Sequence, residues 1–132
     1  MLSKRLEQVA SMVTKGNIIA DIGTDHGYVP IYLVEKGICP KAYAMDINQG
    51  PIESAIKNIE NYGLSEKIQA IKSNGIEKLE PEKADTIIIA GMGGELIVNI
   101  LENGLAKLEN CSRPVKELVL SPHKREIWCA SI

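Results

Sequence analysis

Short apolar segments alternate with helical segments along this chain, and that alternation constrains the fold more than any other feature of the sequence. Five segments have the composition of buried strands: residues 17–22, 41–45, 68–72, 86–90 and 117–120. Four have apolar residues at helical spacing: residues 2–15, 28–36, 51–62 and 95–103. Strands separated by helices are usually parallel neighbours in one sheet. The sequence therefore predicts an α/β fold, a mostly parallel sheet with helices on both faces.

The whole chain, residues 1–132, is expected to form one domain that begins with the helix at 2–15. No linker or internal repeat divides it, and a chain of this length buries roughly two-thirds of its unfolded surface on folding. Phe is absent and aromatic residues make up only 4% of the chain, so the core must consist of Ile, Leu, Val and Ala.

The charge balance limits how the chain can bind nucleic acid. Seventeen acidic and fifteen basic side chains give a net charge of -2, which argues against binding by bulk positive charge, because such domains are strongly basic. Two local basic pairs, Lys4 with Arg5 and Lys124 with Arg125, are the candidates for an RNA contact, although such pairs are more often part of an ordinary solvated surface.

Several classes of protein are disfavoured by simple motif counts. The three cysteines show no CxxC spacing, which predicts neither a disulfide framework nor a zinc site. No apolar run reaches the eighteen or so residues that a membrane span needs, and the first residues do not resemble a signal peptide. We therefore expect a cytoplasmic protein without a metal or a membrane partner.

Glycine, acidic and amide residues follow the predicted strands at their carboxyl ends, where parallel sheets bind ligands. The first strand runs into residues 21–27, Asp-Ile-Gly-Thr-Asp-His-Gly, and Asp46 ends the second. Asn74 follows the third strand, and residues 91–94, Gly-Met-Gly-Gly, follow the fourth. Glycine lets a ligand approach the backbone closely, and a carboxylate such as Asp46 can bind both ribose hydroxyls. This pattern indicates an adenosine-containing ligand.

Two acids in the first turn distinguish between kinds of adenosine ligand. Asp21 and Asp25 would repel a pyrophosphate, and Gly23 with Gly27 does not complete the dinucleotide motif G-x-G-x-x-G. The same acids suit S-adenosylmethionine, which carries a sulfonium and an ammonium group and no phosphate. An NAD-dependent oxidoreductase is the less favoured alternative, and the missing G-x-x-x-x-G-K-[ST] motif argues against nucleoside triphosphate chemistry.

The sequence also resembles a known family along its whole length. The strings LSKRLEQVASMV, ADIGTDHGYVP, AMDIN, SNGIEKL, IIIAGMGGELI and LVLSPH look like those of bacterial tRNA (adenine(22)-N(1))-methyltransferases, in the family's order. The resemblance implies a class I, Rossmann-like methyltransferase that converts S-adenosyl-L-methionine to S-adenosyl-L-homocysteine and methylates N1 of an adenine in tRNA.

The family has a helical C-terminal domain that helps to hold tRNA, whereas this sequence ends shortly after the fifth predicted strand. The resemblance thus implies a C-terminally truncated domain that lacks two strands of a seven-stranded sheet. The alternative to an active enzyme is a fragment that binds S-adenosylmethionine and transfers no methyl group.

Residue roles follow from the strand ends and the resemblance together. The expected cofactor-binding residues are Asp21, Gly23, Asp25, Gly27, Asp46, Ile47, Asn74, Gly75 and Gly91. For catalysis we expect Asp25, Gly91 and Met92: a carboxylate stabilises the positive charge that forms on adenine, and glycines leave room for a flat base. Because N1 is hidden in a base pair, the adenine must be unpaired or flipped. Tyr28 either stacks on it or packs in the core, and His26 is more simply a polar turn residue.

Overall fold

The β-branched segment that begins at Thr86 lies at the centre of a six-stranded sheet. The computed structural model describes residues 2–122 and 127–131. Its elements are, in chain order, α1 (Lys4–Ser11), β1 (Ile19–Ile22), α2 (Tyr28–Glu35), β2 (Ala42–Asp46), α3 (Gln49–Asn61), β3 (Ile68–Lys72), β4 (Thr86–Met92), α4 (Gly94–Glu109), β5 (Glu117–Pro122) and β6 (Trp128–Ser131).

The strand order across the sheet is β3-β2-β1-β4-β5-β6. The first five strands in the chain are parallel to their neighbours, and β6 is antiparallel to β5. The register places Ile22, at the end of β1, beside Met45 of β2 and Ile89 of β4. The carboxyl ends of β1, β2 and β4 therefore meet at one edge, as the predicted α/β fold requires.

Two apolar layers cover the two faces of the sheet, which confirms the predicted helices on both faces. On one face, residues such as Val9 of α1, Leu33 of α2 and Ala55 of α3 pack in a single cluster with Ile19 and Ile88. The other face is covered by α4 and by the segment that follows β3, with buried side chains at Ile76, Leu79, Ile97 and Leu108.

A buried carboxylate fixes the end of the sheet that is opposite the strand carboxyl ends. Glu117 accepts hydrogen bonds from the Thr14 backbone N–H (3.1 Å), the Thr14 hydroxyl (2.7 Å) and the Thr86 hydroxyl (2.8 Å). It joins the segment between α1 and β1 to β4 and β5, and so holds α1 in place against the sheet.

Two helices differ in length from the sequence prediction. The helix predicted at 2–15 is only α1, because the Ser3 side chain caps it by accepting a hydrogen bond from the Leu6 N–H (3.2 Å) and a turn at Met12 ends it. The helix predicted to end near Asn103 continues to Glu109. Gly104 does not end it, because this glycine lies against the buried side chain of Ile76.

The strand β6 was absent from the sequence prediction, which placed no regular structure after the fifth strand. Its four residues are all exposed, so no alternation of buried and exposed residues marks it as a strand. It is held by antiparallel backbone pairing with β5. The resemblance implied that two strands of a seven-stranded sheet would be missing. Six strands are formed in the described part of the chain, so this expectation is wrong by one strand. Lys124 and Arg125, predicted as RNA contacts, lie outside the described residues.

The close contact at Gly104 predicts that Gly104→Ala destabilises the protein. A Cβ there would lie 2.3 Å from Ile76 Cγ1, and overpacking of this kind costs about 1–3 kcal/mol, which exceeds the gain in helix propensity of at most about 1 kcal/mol. Gly50→Ala in α3 is the matched control: its Cβ would meet nothing within 4 Å, so the protein should be slightly more stable. Urea unfolding measures both, and equal stabilities of Gly104→Ala and wild type would contradict the packing.

Candidate functional site

The turn between β1 and α2 is held in a left-handed backbone conformation that brings it close to the neighbouring strands. Gly23 has φ +76° and Gly27 has φ +75°. The backbone N–H groups of Gly23 and Thr24 both donate to the carbonyl of Met45 (2.8 and 2.9 Å), at the end of β2. A Cβ at Gly23 would lie 2.3 Å from Cε of Met92. The positive φ makes glycine the favoured residue at this position, and any larger residue would also displace the Met92 methyl group.

A buried acid lies beneath this turn. Burial raises the pKa of Asp21 to about 7, and the negative charges of Asp25 and Asp46 act in the same direction, while the Thr24 hydroxyl acts against them. Asp21 is 4% exposed. It is therefore a carboxyl group that titrates near neutral pH, and a cationic ligand close to it would favour its ionised form.

The smaller of two cavities at the strand ends holds about 170 Å³. It is lined by Ile22, Gly23, Asp46, Ile47, Ser73, Asn74, Gly75, Met92, Leu96 and Ile100. The Asp46 carboxylate is held at its mouth by accepting a hydrogen bond from the Asn48 N–H (2.9 Å) through Oδ1. Apolar side chains form most of the walls, and the polar groups of Asp46 and Asn74 enter from the ends of β2 and β3.

The larger cavity holds about 410 Å³ on the other side of Gly23. Its lining comprises Ser3, Arg5, Leu6, Gly23, Thr24, Asp25, Ala90 and Gly91. Thr24 is 3% exposed, and its hydroxyl makes no hydrogen bond of normal geometry within residues 2–122 and 127–131. This hydroxyl acts on the buried carboxyl of Asp21, whose pKa it lowers, so it connects the turn to that acid.

An irregularity in β4 divides the predicted Gly-rich segment between the two cavities. The pairing of β4 with β5 shifts between Ala90 and Met92, and Gly91 between them has φ +79°. Gly91 therefore lines the larger cavity and Met92 the smaller one. The sequence prediction that both residues follow the fourth strand is wrong, because the strand continues through them; a β-bulge of this kind redirects side chains.

The structure brings most of the predicted cofactor-binding residues to these two cavities and places two of them elsewhere. Asp21 lies below the turn and lines neither cavity. Gly27 is also absent from both linings: it packs against α3, where a Cβ would lie 3.3 Å from that of Ala55. These two residues therefore support the turn from behind. Of the predicted catalytic residues, Asp25 and Gly91 share the larger cavity, while Met92 does not face it.

Several residues of the site were missed or misassigned by sequence reasoning. Arg5, a candidate RNA contact, donates to the Ser121 hydroxyl (Nη2, 2.9 Å; Nε, 3.1 Å) and to the Pro122 carbonyl, and it lines the larger cavity, which the sequence did not indicate. Leu96 and Ile100 line the smaller cavity from one face of α4, and their spacing of four was the available signal. Nothing in the sequence indicates that the Thr24 side chain is buried in this turn.

Tyr28 lies outside both cavities. It begins α2, is 37% exposed, and lines a separate groove between α1 and α2 with Leu2 and Tyr32. Its ring is 5.3 Å from the ring of His26.

The described ranges, residues 2–122 and 127–131, contain neither a cluster of metal ligands nor a helix that could span a membrane. No cluster of three or more His, Cys, Asp or Glu side chains with the geometry of a metal site occurs in them. None of the described helices has the length and hydropathy that crossing a membrane requires.

A family model of methyltransferase domains matches residues 2–128, which includes the carboxyl ends of the five strands β1 to β5. The chain belongs to this methyltransferase-domain family. The match agrees with the strand order, with the acid at the end of β2 and with the Gly-containing turn after β1. It also confirms the α/β fold class predicted from the strand pattern, a Rossmann-like methyltransferase fold.

Individual methyltransferases are similar to the chain in sequence and structure. The tRNA (adenine(22)-N(1))-methyltransferase of Bacillus subtilis is 43% identical over 92% of this chain and 50% of its own length. A Streptococcus pneumoniae protein solved with S-adenosyl-L-methionine is 50% identical, with a TM-score of 0.88, over 96% of this chain and 57% of its own.

An M. capricolum relative solved with S-adenosyl-homocysteine is 41% identical, with a TM-score of 0.79, over 91% of this chain and 51% of its own. The resemblance predicted from the motifs is thereby confirmed. The chain spans about half the length of these relatives.

The raised pKa of Asp21 predicts that Asp21→Asn stabilises the protein at alkaline pH. The pKa of Asp21 is about 7 in the folded protein against 3.8 for an ordinary Asp. The contribution of Asp21 to the free energy of unfolding therefore falls as pH rises from about 4 to 7 and then levels off. Asparagine avoids the buried charge, so the variant should gain up to about 4 kcal/mol at pH 8 and little near pH 4. Urea unfolding at both pH values measures this, and a difference independent of pH would contradict it.

Proposed function

We propose that this chain uses S-adenosyl-L-methionine to methylate N1 of an adenine in tRNA. The observation that carries the proposal is the pair of cavities that share Gly23. One of them presents the ribose-type carboxylate Asp46, and the other contains the carboxylate Asp25. The similarity to a tRNA (adenine(22)-N(1))-methyltransferase, and to proteins solved with this donor and its product, supports the same assignment.

The smaller cavity suits the adenosine half of the donor. Asp46 would accept hydrogen bonds from the ribose hydroxyls through the oxygen that Asn48 leaves available. Asn74 has an amide oxygen that could accept from the adenine amine, and Ile47 and Leu96 supply apolar walls for the ring. No basic side chain lines this cavity in the described part of the chain, which fits a ligand without phosphate.

The region where the cavities meet suits the charged half of the donor. Asp21 and Asp25 favour positive charge there. When bound, S-adenosylmethionine supplies an electrophilic methyl group. The same acids would oppose the pyrophosphate of a dinucleotide, so the oxidoreductase alternative is not supported.

The larger cavity suits the acceptor base. Adenine N1 has an in-plane lone pair, so it can form the new N–C bond without first losing a proton. The methylated base carries a positive charge, and the carboxylate of Asp25, which lines this cavity, would stabilise that charge as it develops. Gly91 has nothing within 4 Å of the position of a Cβ, so it leaves room for a flat ring. The base must be unpaired to enter. We also place the protein in the cytoplasm, where a bacterial tRNA is found.

The assignment of Asp46 predicts that Asp46→Ala abolishes donor binding. In calorimetric titration with S-adenosylhomocysteine we expect wild type to bind and Asp46→Ala to lose at least about a hundredfold in affinity, because two charge-assisted hydrogen bonds of about 1.5–3 kcal/mol each are removed. Glu66→Ala removes an exposed acid away from both cavities and is the matched control. Equal binding by Asp46→Ala and Glu66→Ala, or binding of NADH in place of S-adenosylhomocysteine, would contradict the proposal.

A further inference from the structure

We propose that His26 is a positioning residue that holds the Asp25 carboxylate towards the larger cavity. This inference rests on the proposed function, since it assigns a role to His26 in the same reaction. Asp25 lines the cavity and His26 does not. His26 therefore acts on the acceptor through Asp25, from the side away from the cavity.

The imidazole of His26 lies between Asp25 and α3. Its Nε2 is 3.5 Å from Oδ1 of Asp25, and its Nδ1 is 2.8 Å from Oγ of Ser54. The first distance is in the range of an ion pair and long for a hydrogen bond, whereas the second is a normal hydrogen bond. One ring thus connects a carboxylate of the cavity to a helix of the scaffold.

One face of α3 contacts the second half of the turn, at His26 and Gly27. Ser54 binds the His26 ring, Ala55 packs against Gly27, and the Asn58 side-chain amide donates to the His26 carbonyl (2.9 Å). These three residues lie within about one helical turn of each other. The side chain and the backbone of His26 are therefore fixed by the same rigid element, which favours a single orientation of the ring.

The proposal assigns the donor role in the contact with Ser54 to the serine hydroxyl. When the Ser54 hydroxyl donates to Nδ1, the neutral ring carries its proton on Nε2, which then points an N–H group at Asp25. A protonated ring does the same and adds charge. In either form the ring places an N–H group within ion-pair distance of Oδ1 of Asp25, and the other oxygen is left for the acceptor base.

The backbone of His26 is consistent with a role beyond filling a turn. Its φ of +54° is unusual for a residue other than glycine, and such a conformation costs about 1–3 kcal/mol. Asparagine adopts it more readily, and could occupy the turn. The feature that histidine adds is a rigid ring that reaches Ser54 and Asp25 at once.

The test compares His26→Asn and Ser54→Ala with wild type and with Glu60→Gln, an exposed change on α3. In methyl transfer to tRNA we expect kcat to fall about tenfold in His26→Asn, because small displacements of a catalytic group have effects of up to about a hundredfold. Ser54→Ala should lose less. The KM for donor and the affinity for S-adenosylhomocysteine should stay within about twofold of wild type, whereas a turn that merely unfolds would lose both.

A second readout does not depend on activity. The ¹⁵N chemical shifts of the His26 ring in alkaline buffer report its tautomer, and we expect the Nε2–H form in wild type and a mixture in Ser54→Ala. An Nδ1–H form in wild type, or full kcat in His26→Asn, would overturn the positioning role. If wild type transfers no methyl group, the proposed function fails, while the ring tautomer still decides whether His26 is directed at Asp25.

Discussion

The turn after β1 must pass between two neighbouring strands without a side chain at Gly23, and the geometry of the site depends on this constraint. Two backbone N–H groups of the turn bind one carbonyl of β2, while the methyl group of Met92, from β4, fills the space that a Cβ would need. The central strand is thereby joined to both neighbours at their carboxyl ends. The cavities on the two sides of Gly23 share this one residue, so ligands bound in them would be within reach of each other.

The electrostatics of the site follow from the same crowding. Three carboxyl groups, from Asp21, Asp25 and Asp46, lie around one short turn, and the most buried of them has a pKa raised to about 7. Such an arrangement opposes folding at alkaline pH and opposes anionic ligands, but it favours a ligand with positive charge. Functional sites often retain groups that reduce stability in this way.

The sequence predicted the features that depend on local pattern. Short apolar segments predicted five of the described strands closely. Polar residues at the ends of these strands indicated the site, because parallel strands bring their carboxyl ends to one edge. The features that depend on distant contacts were not predictable. Arg5 hydrogen-bonds to Ser121, which is 116 positions away in the chain. Gly104 lies inside a helix because its lack of a side chain makes room for Ile76. The bulge at Gly91 follows from pairing with β5. The titration of Asp21 depends on burial, which composition does not give.

The central claim is that the paired cavities transfer a methyl group from S-adenosylmethionine to adenine N1. The most direct measurement is nucleoside analysis, by chromatography and mass spectrometry, of an unmodified bacterial tRNA transcript incubated with this chain and methyl-labelled S-adenosylmethionine. We predict that labelled 1-methyladenosine is formed. A chain that binds S-adenosylhomocysteine and leaves the tRNA unlabelled would instead be a donor-binding domain without transferase activity, and label on another nucleoside would assign the larger cavity to a different acceptor.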